Sequence, residues 1–110
     1  MGSGFVKREF MYAADLADAI YYCIENYCDT PSIINIGAGE DHTVLEYYQL
    51  VASVLDWNGA FLFDKSKPEG MRRKLLDTTL QKKWGWKPKT NLEAGIASTY
   101  QYFLETHNVL

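Results

Sequence analysis

Ten residues in the middle of the chain hold five of its eleven lysines and arginines. Between Lys65 and Lys74 stand five cations, Lys65, Lys67, Arg72, Arg73 and Lys74, against one anion, Glu69, with Pro68 and Gly70 between them. Lysine and arginine pair strongly with phosphate oxygens, so a basic loop shaped by proline and glycine suits an anionic ligand such as a diphosphate. The competing reading is a solvated basic loop with no ligand. Arg8, in Lys7-Arg8-Glu9, is a second cation able to reach a phosphate, and it has Glu9 and Asp15 as nearby salt-bridge partners.

Other candidates carry less chemistry. Gly37-Ala38-Gly39 follows an apolar run, but the third glycine of a dinucleotide fingerprint would fall at position 42, which is His42. Gly2-Ser3-Gly4 is too short for a phosphate loop. Neither His42 nor His107 has a serine or cysteine in a catalytic arrangement. Cys23 and Cys28 sit on one expected helix with Cα atoms roughly 8–9 Å apart, too far for a disulfide, and no metal-ligand cluster accompanies them.

The elements that must position the basic residues read as alternating strands and helices. Strands are expected at Arg8–Tyr12, Ser32–Ile36 and Ala60–Phe63. Asp15 is expected to cap a helix whose apolar face is Leu16, Ile20, Cys23, Ile24 and Tyr27. Thr43 and Glu46 spell a capping box, as do Thr90 and Glu93. The first of these helices carries Tyr48, Val51, Ala52 and Leu55, and the second Leu92, Ile96, Tyr100 and Phe103. Asp64–Lys74 is expected as a loop, followed by a short helix capped by Asp77 and ending near Gly85. Alternation of this kind predicts an α/β fold of about three short strands and four helices. Three strands are few for an independent sheet, which suggests one domain, residues 1–110, belonging to a larger fold.

At 110 residues, 47% apolar and 23% charged, the composition is that of a globular domain. A net charge of −3 argues against a nucleic-acid partner. No apolar run reaches the length of a membrane span, and no secretion-type leader is apparent, so the expected location is the cytoplasm.

Several segments in order resemble the GDP-L-fucose synthases, a family of extended short-chain dehydrogenase/reductases. They include Arg8-Glu9-Phe10 with Tyr12 and Asp15, Asn35-Ile36-Gly37-Ala38-Gly39, Ser66-Lys67-Pro68-Glu69-Gly70, Arg73-Lys74-Leu75-Leu76-Asp77 and Gly85-Trp86. The resemblance spans nearly the whole chain. It implies a small C-terminal substrate-binding portion, with the N-terminal Rossmann domain that holds NADP missing. It also implies that Arg8 and Lys74 contact a GDP-sugar, and that Glu69 stands where the family usually has Asp. Met1 stands where the family often has a nucleotide-binding Trp. None of the eight tyrosines has Lys four residues on, the pairing that this family uses for proton transfer. The resemblance therefore implies no catalytic residue, no bound cofactor and no activity in this chain alone, and exposed strand surface predicts a homo-oligomer. The rival readings are a reductase or epimerase of another nucleotide sugar, and a non-enzymatic module that has lost its cofactor domain.

Overall fold

A computed structural model of the chain describes residues 2–107. In order it contains β1 (Lys7–Arg8), α1 (Ala13–Glu25), a 3₁₀ turn (Tyr27–Asp29), β2 (His42–Thr43), α2 (Val44–Val54), β3 (Arg73–Lys74), α3 (Thr79–Trp84) and α4 (Leu92–His107). The α/β class and the expected numbers of strands and helices hold, but two of the three strands lie elsewhere than expected. The sheet order is β2-β1-β3, with β1 antiparallel to β2 and parallel to β3.

The expected strands at Ser32–Ile36 and Ala60–Phe63 are irregular. Their apolar residues satisfy a strand propensity, but a strand also needs a neighbouring backbone. Ile33 is 85% exposed and Leu62 95% exposed. The chain past Ile36 is instead tied to α3 by a side chain. Gly37 N–H donates to Gln81 Oε1 at 2.8 Å, and Gln81 Nε2 donates back to the Gly37 carbonyl at 3.1 Å. The buried amide of Gln81 thus stands in for a partner strand.

The caps show which local signals decide helix starts. Thr43 and Glu46 form the expected box: Glu46 N–H donates to Thr43 Oγ1 at 3.1 Å, and Thr43 N–H to Glu46 Oε2 at 2.6 Å. The second expected box does not form. Asn91 caps α4 by accepting from Ala94 N–H at 2.8 Å, because Thr90 is spent on Asp15. Asp15 is accordingly not the cap of α1; Tyr12 is, and its side chain makes no capping bond. Gly85 closes α3 in the left-handed conformation, as expected.

Packing of α1 reverses the expectation. Asp15 and Ala19 form its buried face, while Leu16, Ile20, Ile24 and the following Tyr27 are exposed. Polar pairing selects the buried face: the Asp15 carboxylate accepts from Thr90 N–H and Oγ1, both at 3.1 Å, and Asp18 accepts from Trp86 Nε1 at 2.9 Å and Lys89 Nζ at 3.1 Å. Tyr22 donates to the Trp84 carbonyl at 3.0 Å. Among the described residues, Val6, Ala19, Tyr47 and Trp86 are the buried apolar side chains. The radius of gyration is 16.7 Å, against about 13 Å for a compact domain of this length, and the extents of 50 × 35 × 18 Å describe a slab.

Candidate functional site

The three strands are two residues each, and strand alternation sorts their basic residues onto two faces. Register pairs Lys7 with Thr43 and Arg73, and Arg8 with His42 and Lys74. One face therefore carries Lys7 and Arg73. The other carries His42, Arg8 and Lys74 in a row. The expected loop from Asp64 to Lys74 is corrected at its end, where Arg73 and Lys74 are strand.

The two faces differ in how their charge is met. Arg73 makes a two-point bond to Asp41, Nε to Oδ2 at 2.6 Å and Nη2 to Oδ1 at 3.2 Å. The Asp41 side chain is 5% exposed. The bond from Arg73 holds the Asp41 carboxyl below its ordinary range, against the opposing effect of desolvation. Lys74 is exposed, and no carboxylate among the described residues pairs with it. His42 lies 3.7 Å from Glu40 and 3.9 Å from Glu46.

Arg8 pairs with neither Glu9 nor Asp15. Its Nη1 donates to the carbonyls of Lys7 at 2.6 Å and Met71 at 2.7 Å, and its Nη2 donates to the Glu69 carbonyl at 3.2 Å. The guanidinium gathers the 69–71 turn and keeps Nε–H and one Nη2–H for another acceptor. Gly70 permits this turn: its φ is +75°, and a Cβ there would sit 3.5 Å from Arg8 Nη2. Glu69 also accepts a short hydrogen bond from Ser3 N–H, and the Ser3 side chain together with that N–H lowers its pKa. Arg8, Glu69 and Lys74 are thus brought to one edge of the sheet, while Met1 lies outside the described residues.

Sequence reasoning missed two features. One is the role of Glu9, whose Oε2 accepts from Gly39 N–H at 2.8 Å and whose Oε1 accepts from Leu76 N–H at 3.1 Å. The other is a cleft of about 1040 Å³ between the 10–13 turn, α2 and α4, lined among others by Phe10, Tyr12, Tyr47, Val51, Ile96 and Phe103. The facing apolar stripes of α2 and α4 were its signal. Tyr47, pushed up in pKa by burial, donates from this cleft to the Arg8 carbonyl at 2.7 Å. The lining of this cleft is mainly apolar and aromatic, whereas the cations Arg8 and Lys74 stand on the paired strands β1 and β3.

Five carboxylates, of Asp18, Asp41, Asp64, Glu69 and Asp77, have lowered pKa values, each chiefly through hydrogen bonds they accept, first among them those from Trp86, Arg73, Ser66, Ser3 and Thr79. A carboxylate whose folded pKa lies below its unfolded value near 4 stabilises the fold above that pH and loses the contribution as pH falls through the folded value. Stability should therefore fall from about pH 4 downward. Urea titrations between pH 7 and pH 2.5 check this, and a midpoint that stays flat below pH 4 would contradict it.

Among the described residues no three His, Cys, Asp or Glu side chains form a metal-binding group, and no helix is long and apolar enough to cross a membrane. No family model matches the chain. It is 53% identical over 107 residues to a GDP-L-colitose synthase from Yersinia pseudotuberculosis, a match covering 97% of this chain and 35% of the relative. A GDP-L-fucose synthase from Azorhizobium caulinodans is 47% identical over 108 residues, covering 98% and 35%. Among solved structures, a GDP-mannoheptose C4 reductase from Campylobacter jejuni with NADP bound superposes with a TM-score of 0.80 at 34% identity, covering 93% of this chain and 33% of that one. The chain spans about a third of the length of these proteins. It belongs to the extended short-chain dehydrogenase/reductases of the GDP-L-fucose and GDP-L-colitose synthase type, and it corresponds to their C-terminal part.

Proposed function

We propose that the chain is the GDP-sugar-binding domain, residues 1–110, of an NADP-dependent nucleotide-sugar epimerase/reductase, and that Arg8 and Lys74 hold the diphosphate. The observation that carries this reading is the register Arg8↔Lys74, which sets two cations on one face, while on the other face, with Lys7 and Arg73, Asp41 pairs with Arg73. A diphosphate there meets a lysine point charge and the unused donors of an arginine fork. The Glu69 turn borders the same edge. The relatives' names share GDP and differ in the sugar, so the reading stops at a GDP-sugar.

NADP does not fit the residues of this chain. The one glycine turn that follows an apolar run already holds an anion, since Gly39 N–H is bonded to the Glu9 carboxylate, and a pyrophosphate would be repelled there. We assign the cofactor and the reacting groups of the whole protein to sequence beyond this segment. Cytoplasmic location and a homo-oligomer complete the reading; the exposed apolar stripe of α1 supports the latter.

Calorimetric titration of the 110-residue chain tests this. GDP should bind saturably, guanosine much more weakly, and NADPH should neither bind nor be oxidised. No saturable GDP binding, or NADPH turnover in pure protein, would overturn the reading. The same samples should sediment as a dimer or larger, and a strict monomer removes that part of it.

A further inference from the structure

We propose that Glu9 is a positioning residue that holds Lys74 beside Arg8, so that it sets the affinity for the diphosphate without touching it. The inference rests on the GDP-sugar reading and deepens it. A two-residue parallel pairing is weak, and β1–β3 has one further backbone bond beside it, Lys7 N–H to the Arg72 carbonyl at 2.7 Å. That bond fixes the N-terminal end of β3. At the other end, where Lys74 stands, the ladder stops at the Arg8↔Lys74 pair.

Glu9 supplies the missing restraint. It follows Arg8 directly, and its Oε1 accepts from Leu76 N–H, two residues beyond Lys74. Its Oε2 accepts from Gly39 N–H, so the carboxylate is itself held from the opposite side. The chain makes room for it at Gly37, where a Cβ would fall 2.8 Å from Glu9 Oε2. One side chain thus ties the end of β1, the 37–39 turn and the exit of β3 together. Without it, Leu76 and Lys74 are free to swing from the sheet while Arg73 stays anchored on Asp41.

The test uses two changes that reach the carboxylate by different routes. Glu9→Gln keeps the shape but replaces one acceptor oxygen with an amide NH2, which only donates, and Gly37→Ala leaves Glu9 in place and displaces its carboxylate. Each should weaken GDP binding about tenfold, the size of losing a charge-assisted bond. Guanosine affinity should not change, and in a Lys74→Ala background Glu9→Gln should add nothing. A general loss of structure would lower guanosine and GDP binding alike and would overturn the proposal. So would full GDP affinity in both variants while Lys74→Ala loses it, or a Glu9→Gln loss that persists without Lys74. A wild-type chain that takes up no GDP overturns the site reading beneath it instead.

Discussion

Trp86→Ala should cost about 3–5 kcal/mol, the usual loss for emptying a buried tryptophan site. Trp86 is 3% exposed, and its indole N–H is the first of the two bonds that Asp18 accepts. It is the largest side chain in a small core, whose other apolar members are Val6, Ala19 and Tyr47. Domains hold about 5–15 kcal/mol in total, and a thin slab with a sparse core belongs at the low end. The variant should therefore be largely unfolded at room temperature or melt roughly 15 °C or more below the parent. Trp57 is the internal control. It is 49% exposed and leans on Phe61 at a centroid distance of 5.3 Å. Trp57→Ala should cost less than about 1 kcal/mol. Urea unfolding of both variants checks the pair, and equal losses would mean that the 84–90 segment does not anchor α1 as described.

The second large effect is on binding. Lys74→Ala should weaken GDP binding roughly ten- to hundredfold, which corresponds to a charge-assisted contact of about 1.5–3 kcal/mol. Its melting temperature should hardly move, because Lys74 is exposed and pairs with no carboxylate among the described residues. Arg73→Ala should do the reverse. It strands the covered Asp41 carboxylate, so stability falls while GDP affinity stays close to wild type. Arg8→Ala should lower both, since the guanidinium also holds the Met71 and Glu69 carbonyls. Arg8→Lys cannot restore that fork. GDP titrations read alongside melting curves separate the three patterns. Lys74→Ala with full affinity would leave Lys74 as solvated surface.

How far the residues alone led differs by element. The Thr43–Glu46 box and the Gly85 stop are local signals, readable because their partners lie within one helical turn. Two of the three strands were not readable. Apolar runs at Ser32–Ile36 and Ala60–Phe63 have strand composition without strand neighbours, whereas His42-Thr43 and Arg73-Lys74 pair without any strand composition. The same limit applied to α1. Its apolar stripe pointed to one face, but carboxylates reaching residues far along the chain chose the other. At the proposed site, Arg8, Glu69 and Lys74 were singled out through family resemblance, and the basic loop through its charge. Glu9 was read as a salt-bridge partner for Arg8 and as part of the Arg8-Glu9-Phe10 segment, without its structural role, because its partners are backbone N–H groups that no sequence pattern marks.

The bonds that seat α1 also set a timetable for synthesis. Tyr22 waits for Trp84, Asp18 for Trp86 and Lys89, and Asp15 for Thr90, sequence separations of 62, 68, 71 and 75 residues. Local elements such as the capped α2 can form as soon as they leave the ribosome. For α1 the buried face has nothing to rest on until the segment after α3 emerges, and its carboxylates stay hydrated until then. Contacts closed over such distances are slow to form, because the loop must be closed before the contact repays it. The nascent chain therefore carries α1 undocked, with both its apolar stripe and the face that docking later covers in water, and its time of greatest exposure to wrong partners is the interval between the synthesis of α1 and that of Thr90.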